Sequence, residues 1–293
     1  VTLAPLPAGP VGRVVFLGTP DEAAVVLRRL VADGVEVVAA VTRPDARRGR
    51  GPGRSPSPVK IAAADLGVPV LHDHDEALRA HPGVLGVVVA YGRIFADALL
   101  ERHALINLHF SLLPRWRGAA PVERALLAGD TETGVCLMRI TSGLDAGDVY
   151  DCVRVPIGSA DTATTLRSTL ADAGADLLSR RLATGLGSAS AQVGDATHAA
   201  KITAADRTID WAESAVMSAR RVRLGAARAS VEGTEVRVHS ATIVDAAGVP
   251  GRVLGVDHDG VTVACGVGAL RLERIQPASG REMAAADWWR GRR

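Results

Sequence analysis

The chain has 293 residues, enough for a well-buried core and for two domains. Hydrophobic residues make up 47% of it, yet no apolar run approaches the ~20 residues of a membrane-spanning helix. The formal net charge of +2 excludes a protein that is basic over its whole surface, so the placement of the arginines matters more than their number.

Residues 1–12, "VTLAPLPAGPVG", lack the basic end and long apolar segment of a signal peptide. They read as a disordered lead-in to a cytoplasmic protein. "RVVFLG" (13–18) is a short, β-branched apolar run ending in glycine, the pattern of a buried parallel strand. Residues 21–33 follow as a helix with Ala23, Val26, Leu27 and Leu30 on one face. "VEVVAAVTR" is a second strand, and "RPDARRGRGPGRSPSPVK" a long loop of Gly, Pro, Ser and Arg. A helix over 59–66 leads to a short strand at 68–71. "GVLGVVVAYG" (83–92) is the fourth strand and "ALINLHF" the fifth, and the segment before the fourth is short enough to suggest a trimmed helix. A helix is predicted over 117–128, then an antiparallel extension, "GVCLMRIT" and "GDVYDCVRVPI", then a long helix over 162–184. Strands alternating with helices imply an α/β, Rossmann-like parallel sheet over 13–188.

The composition turns small and polar at 189–205, as in a linker. One more helix and a series of short strands with Gly and Asp-Gly turns fill 206–293, which predicts a small β-barrel of the oligonucleotide-binding type.

Several motifs are discounted. "FLGTPD" has one glycine where the dinucleotide fingerprint needs three, and "GRGPGR" lies in a loop between arginines. "HDHD" (72–75) has metal-type side chains but no partner cluster at ligand spacing, so it reads as a solvated turn and no metal is expected. Cys136, Cys152 and Cys265 are odd in number and far apart, and are expected to be buried reduced thiols.

Two features point to chemistry. The long loop carries Arg43, Arg47, Arg48, Arg50 and Arg54, and guanidinium groups match phosphate geometry. Long structureless loops in compact domains are more often functional, and an oligonucleotide-binding type of barrel follows in the same chain. In "INLHF", Asn107 and His109 share one face near the carboxyl end of a strand, where open α/β sheets bind ligands. An Asn amide and a protonatable imidazole together can hold a carbonyl oxygen becoming an oxyanion. Asp145, in "GLDAGD", is the candidate partner: a carboxylate beside an imidazole favours the protonated ring and can relay a proton. The constellation supports acyl or one-carbon transfer without saying which carbonyl is attacked.

With "FLGTPDEAA", "SPSPVK", "VVVAYGRI", "SLLPRWRGAAPVERALLAGDTETGV", "GLDAGD", "AAKITAADRTIDW" and "LRLERIQPASGREM" in this order, the chain resembles the folate-dependent formyltransferases from residue 13 to about 289. The long central run resembles the branch whose acceptor is methionine esterified to initiator tRNA. The resemblance implies 10-formyltetrahydrofolate as formyl donor, initiator methionyl-tRNA as partner, and a monomer. It implies Asn107 on the formyl oxygen, His109 on the tetrahedral oxyanion, and Asp145 orienting His109 and helping remove the amine proton. Ser111, Leu112, Leu113 and Pro114 match the folate loop, Val89, Ala90 and Tyr91 the backbone contacts to the pterin, and the arginine loop the segment that enters the acceptor-stem region. Phe110 replaces a small residue: it either packs in the core or, in a bulged strand, crowds the folate. "RLGAARAS" (223–230) replaces an aromatic, proline-containing motif. The rival acceptors are small amines such as an amino sugar nucleotide or glycinamide ribonucleotide; the linker, the barrel and the arginine loop favour tRNA. A rival of another class, an RNA-binding protein without catalysis, is opposed by the presence of Asn107, His109 and Asp145 together.

Overall fold

Every side chain of "VVFLG" is apolar, so a strand made of it must be covered on both faces. The computed structural model, which describes residues 2–47, 53–278 and 280–292, places it inside a seven-stranded sheet. The chain divides into two compact units: Val1–Pro121, Glu132–Pro156 and Arg167–Ala199 form one, and Val122–Thr131, Ile157–Leu166 and Ala200–Arg293 the other.

In chain order the elements to residue 199 are β1 (Arg13–Gly18), α1 (Asp21–Ala32), β2 (Glu36–Val41), β3 (Ala46–Arg47), β4 (Arg54–Ser55), α2 (Pro58–Asp65), β5 (Val70–Leu71), α3 (His74–Ala80) and β6 (Leu85–Val89). Then come α4 (Asp97–Leu100), β7 (Leu105–His109), β8 (Arg117–Gly118), α5 (Pro121–Ala128), β9 (Glu132–Arg139), β10 (Val149–Pro156), α6 (Ala163–Thr184) and β11 (His198–Ala199). The large sheet runs β10-β9-β7-β6-β1-β2-β5. Its β5, β2, β1, β6 and β7 are parallel, and β9 and β10 extend it antiparallel. The chain winds one way from β1 to β2 and the other way from β6 to β7, so the switch point lies between the ends of β1 and β6. Gly18 closes β1 there: a Cβ would meet Ala23 Cβ at 2.6 Å and the Val89 carbonyl oxygen at 2.9 Å. Only a residue without a side chain lets the two strand ends and α1 approach so closely.

Helix α1 buries Ala23, Val26, Leu27 and Leu30, the face its spacing predicts. The loop between β2 and α2 contains a small hairpin, β3 against β4, where a structureless segment was expected. "HDHD" is a helix start: Asp73 Oδ1 caps α3 through the N–H groups of Asp75 and Glu76, His72 bonds the Thr42 carbonyl, and His74 packs edge-on against Phe95. That helix has seven residues, in line with a trimmed segment.

Three expectations need correction. The lead-in is tied down, since the Ala4 N–H bonds the Leu100 carbonyl, Val11 bonds that of Leu182, and both side chains are buried. The helix predicted over 117–128 starts at Pro121, because proline is preorganised for the first helical position; Arg117 and Gly118 pair instead, in parallel, with β11. Cys136 and Cys152 are joined in a disulfide. They lie sixteen positions apart, but the β9–β10 pairing sets them directly opposite, with Cα atoms 4.2 Å apart. Linear separation hid that contact.

In the second unit a 3-10 turn (Ala205–Arg207) and α7 (Ala215–Arg223) precede β12 (Ala227–Val231), β13 (Thr234–Val244), β14 (Val253–Val256), β15 (Val261–Ala264), β16 (Ala269–Pro277), β17 (Met283–Ala284) and α8 (Ala285–Arg290). The strands form an antiparallel sheet, β12-β13-β16-β15-β14, with β17 on β16. Its outer strands are not paired with each other among the described residues, in keeping with a partly open barrel. Strict alternation in β12 sends Ala227, Ala229 and Val231 into a core with Val238, Val263, Leu272 and Ile275. "RLGAARAS" is the tight turn from α7 into β12, with Ala226 at φ 54°.

Arg124 on α5 grips Asp206 with both guanidinium nitrogens, at 2.8 and 3.1 Å, and Asp206 also accepts from Thr203. Burial alone raises this carboxyl, but those donors outweigh it and hold its pKa at about 2, down from 3.8. A lowered folded pKa contributes stability above the unfolded value and loses it as pH falls through the folded one. Asp206→Asn should therefore cost about 1–2 kcal/mol near neutrality, with the gap to the parent narrowing as pH drops from about 4 toward 2. Urea unfolding at a series of pH values measures this; a gap independent of pH would refute it.

Candidate active site

Strand β7 lies between β6 and β9, so its side chains meet neighbours on both sides. Asn107 is opposite Val88 on β6 and Met138 on β9, and His109 is opposite Cys136. No register shift interrupts β7, so Asn107 and His109 project to the same face, as their spacing predicts. Phe110, just past the strand, is buried, which resolves its role as packing.

His109 is 5% exposed, and a buried imidazole needs partners. Its Nε2 donates to the Trp116 carbonyl at 2.8 Å, and its Nδ1 faces Asp145 Oδ2 at 3.6 Å. The same Asp145 oxygen accepts the Gly118 N–H at 2.8 Å. Asp145 itself sits at φ 47°, left-handed backbone that a non-glycine residue adopts only when held there. The three residues singled out in the sequence are thus brought to the carboxyl edge of the sheet, with Asp145 coming from the β9–β10 connection.

The proposed folate loop leaves β7 directly. Ser111 is fully buried and its hydroxyl donates to the Arg115 carbonyl at 2.6 Å, so its donor shapes the turn. Leu112, Leu113 and Pro114 are partly exposed, and the Leu113–Pro114 peptide is cis. Val89 ends β6, Ala90 is exposed at φ 46°, and the Tyr91 ring is buried and stacked on Phe95. Tyr91 offers a ligand its backbone alone; burial raises the pKa of its hydroxyl.

The arginine loop divides. Arg43 donates to the Gly92 carbonyl at 3.2 Å, beside the end of β6. Arg47 and Arg54 are exposed and directly opposite each other on the β3–β4 hairpin. Arg48 and Arg50 lie outside the described residues.

Sequence reading missed the residues that frame Asp145. Arg117 donates through Nε and Nη2 to Gln192 Oε1 at 2.9 and 2.6 Å. Gln192 Nε2 donates to the carbonyls of Asp145 and Gly147, both at 2.8 Å. Gln192 belongs to the stretch expected to be a linker. From Ser190 to Ala199 that stretch instead lies against the site: Ser190 bridges Val149, Thr197 Oγ1 accepts the Trp116 N–H, and β11 pairs with β8. Only the small and polar composition was visible in the sequence, and no local pattern marks such a long-range strap.

Comparison with known proteins shows the family. The family described as formyl transferase matches residues 12–182, and its C-terminal domain matches 201–293. The methionyl-tRNA formyltransferase of Stenotrophomonas maltophilia (strain R551-3) is 44% identical over 96% of this chain and 98% of its own length. That of Xanthomonas campestris pv. campestris (strain 8004) is 43% identical over the same shares. The crystal structure of an N-formyltransferase from Helicobacter canadensis, in complex with folinic acid and dTDP-3-aminofucose, superposes with a TM-score of 0.66 at 16% identity, covering 89% of this chain and 99% of that one. At that identity it shows a shared fold. The chain belongs to the formyltransferases and, within them, to the methionyl-tRNA formyltransferase family.

Gly118 has φ 122°, and a Cβ there would meet the Ala199 carbonyl oxygen at 2.8 Å. Gly118→Ala should cost about 1–3 kcal/mol of stability. Gly12→Ala, where a Cβ meets nothing within 4 Å, serves as control and should change it little. Denaturant unfolding of both variants decides.

Proposed function

We infer that this chain transfers the formyl group of 10-formyltetrahydrofolate to the α-amine of methionyl initiator tRNA, the reaction that prepares it for translation initiation. The observation that carries the reading is 44% identity to a methionyl-tRNA formyltransferase along 96% of the chain, across both matched domains. The site chemistry supports it independently.

The amine nitrogen attacks the formyl carbon, and the carbonyl oxygen becomes an oxyanion. The Asn107 amide donates to that oxygen. With Nε2 on the Trp116 carbonyl, Nδ1 is the His109 nitrogen left to stabilise the oxyanion; it lies on the side of Asp145, and the 3.6 Å between them is too long for a good hydrogen bond. Such gaps close in the reacting complex, or are bridged by water. Asp145, already fixed by the Gly118 N–H, orients the ring and takes the amine proton directly or through that water. Collapse breaks the carbon–nitrogen bond to the folate, and the folate nitrogen takes up the proton removed from the amine and leaves as tetrahydrofolate. The 111–114 loop and the backbone of Val89, Ala90 and Tyr91 hold the folate.

Arg47 and Arg54 support the acceptor assignment. Like charges directly opposed across a strand pair are unfavourable unless an anion lies between them, and both are exposed to meet one. On this reading the arginine loop, Arg43, Arg48 and Arg50 included, follows the tRNA backbone. Residues 13–188 with the strap to 199 form the catalytic part, and 206–293 help hold the tRNA. The enzyme acts as a monomer in the cytoplasm, where its substrate is made. Among the described residues no helix is long and apolar enough to cross a membrane.

The test is a formyl-transfer assay with charged initiator tRNA, with uncharged tRNA and free amines as controls. Transfer to a small amine alone would overturn the acceptor. His109→Ala should lower kcat by roughly a hundredfold or more while tRNA affinity stays near normal. Arg47→Ala combined with Arg54→Ala should raise KM for tRNA without altering KM for the folate. It should also flatten the dependence of log affinity on log salt by roughly two. Equal loss toward both substrates would make the hairpin structural.

A further inference from the structure

The Gln192 amide is saturated. Its oxygen accepts both Arg117 nitrogens, at 2.9 and 2.6 Å, and its nitrogen donates to two carbonyls, at 2.8 Å each. The orientation is unambiguous, because a guanidinium can only donate and a carbonyl can only accept. Those two carbonyls belong to Asp145 itself, which sits in the left-handed region at φ 47°, and to Gly147, two residues on.

The other end of the strut also reaches the site. Arg117 stands between Trp116, whose carbonyl takes His109 Nε2, and Gly118, whose N–H takes Asp145 Oδ2. One side chain therefore ties the backbone of the Asp145 turn to the three-residue segment that contacts both His109 and Asp145. Asp145 is gripped at its carboxylate by Gly118 and at its backbone by Gln192. Without Gln192, the turn loses both donors of the amide, and the 3.6 Å approach of carboxylate to imidazole is no longer set from two sides.

We propose that Gln192, braced by Arg117, is the positioning residue for Asp145 in formyl transfer. The proposal rests on the role for Asp145 given above. Gln192 touches no substrate in this scheme, so its effect passes through Asp145 alone.

A double-mutant cycle separates this from a general structural role. Gln192→Ala should lower kcat by about 10–100-fold, as expected for a misplaced catalytic group, with KM for both substrates within about twofold. Asp145→Ala should lower it further, and Gln192→Ala added to Asp145→Ala should have almost no extra effect. Gln192→Glu keeps the size and the Arg117 contact but turns two donors into an anion facing two carbonyls. It should be at least as impaired as Gln192→Ala. Additive losses in the cycle, a near-normal kcat in Gln192→Ala, or full activity in Gln192→Glu would each overturn the proposal. Should Gln192→Ala not fold, the cycle is run with Gln192→Glu, and the same additivity criterion applies. An Asp145→Ala enzyme of normal rate would instead refute the assignment of Asp145, which keeps the two failures distinguishable.

Discussion

A buried imidazole must find partners for its ring nitrogens, and at His109 that requirement organises the surroundings. One nitrogen is met by the Trp116 carbonyl, in the loop leaving its own strand, and the other faces Asp145, from a different connection. Neither partner stays in place unaided. Trp116 lies at φ 62° and Asp145 at φ 47°, conformations that cost energy in a non-glycine residue. The hydrogen bond from Trp116 to Thr197, and those from Gly118 and Gln192 to Asp145, hold them there. The strained backbone and the dense bonding around it express one constraint: a titratable ring kept dry and aimed.

The sheet supplies the rigid side of that arrangement. Strand β7 is the last of the parallel strands, and β9 pairs with it antiparallel. Its carboxyl end therefore opens beside that of β6, while β9 runs away from that end and the connection after it folds back to bring Asp145 to His109. The loops after β1, β6 and β7 rise from strands that are almost wholly buried, so their bases are fixed. The hairpin of β3 and β4 follows a different rule. Its two facing arginines are a local electrostatic penalty, held on exposed backbone and not in the core.

Much of this was legible in the residues. Period-two and period-3.6 patterns predict the parallel strands and the buried face of α1 residue by residue, since burial on one face leaves a direct trace in the order of apolar side chains. Asn107 and His109 stand out because two polar groups interrupt an apolar strand on one face. The errors fall where contacts are long-range. The disulfide joins strands whose pairing register is not written in cysteine spacing. The strap over the site looks like a linker because its bonds are made by one glutamine, one threonine, one histidine and the backbone. The lead-in looks disordered because it has no periodicity, yet backbone bonds and two small buried side chains secure it.

The sequence by itself determined the class of fold, the strand that carries the amide and the imidazole, the acidic partner, and the family to which these belong. Each of those depends on residue type at short spacing, where strand and helix geometry fix which side chains share a face. Only the tertiary structure decided which nitrogen of His109 faces Asp145, that the Ser111 hydroxyl is taken by the Arg115 carbonyl and the Tyr91 ring stacks on Phe95, and that Gln192 and Arg117 meet from 75 positions apart. Those outcomes depend on how distant segments satisfy one another's buried polar groups, a condition that exists only once the chain has closed around them.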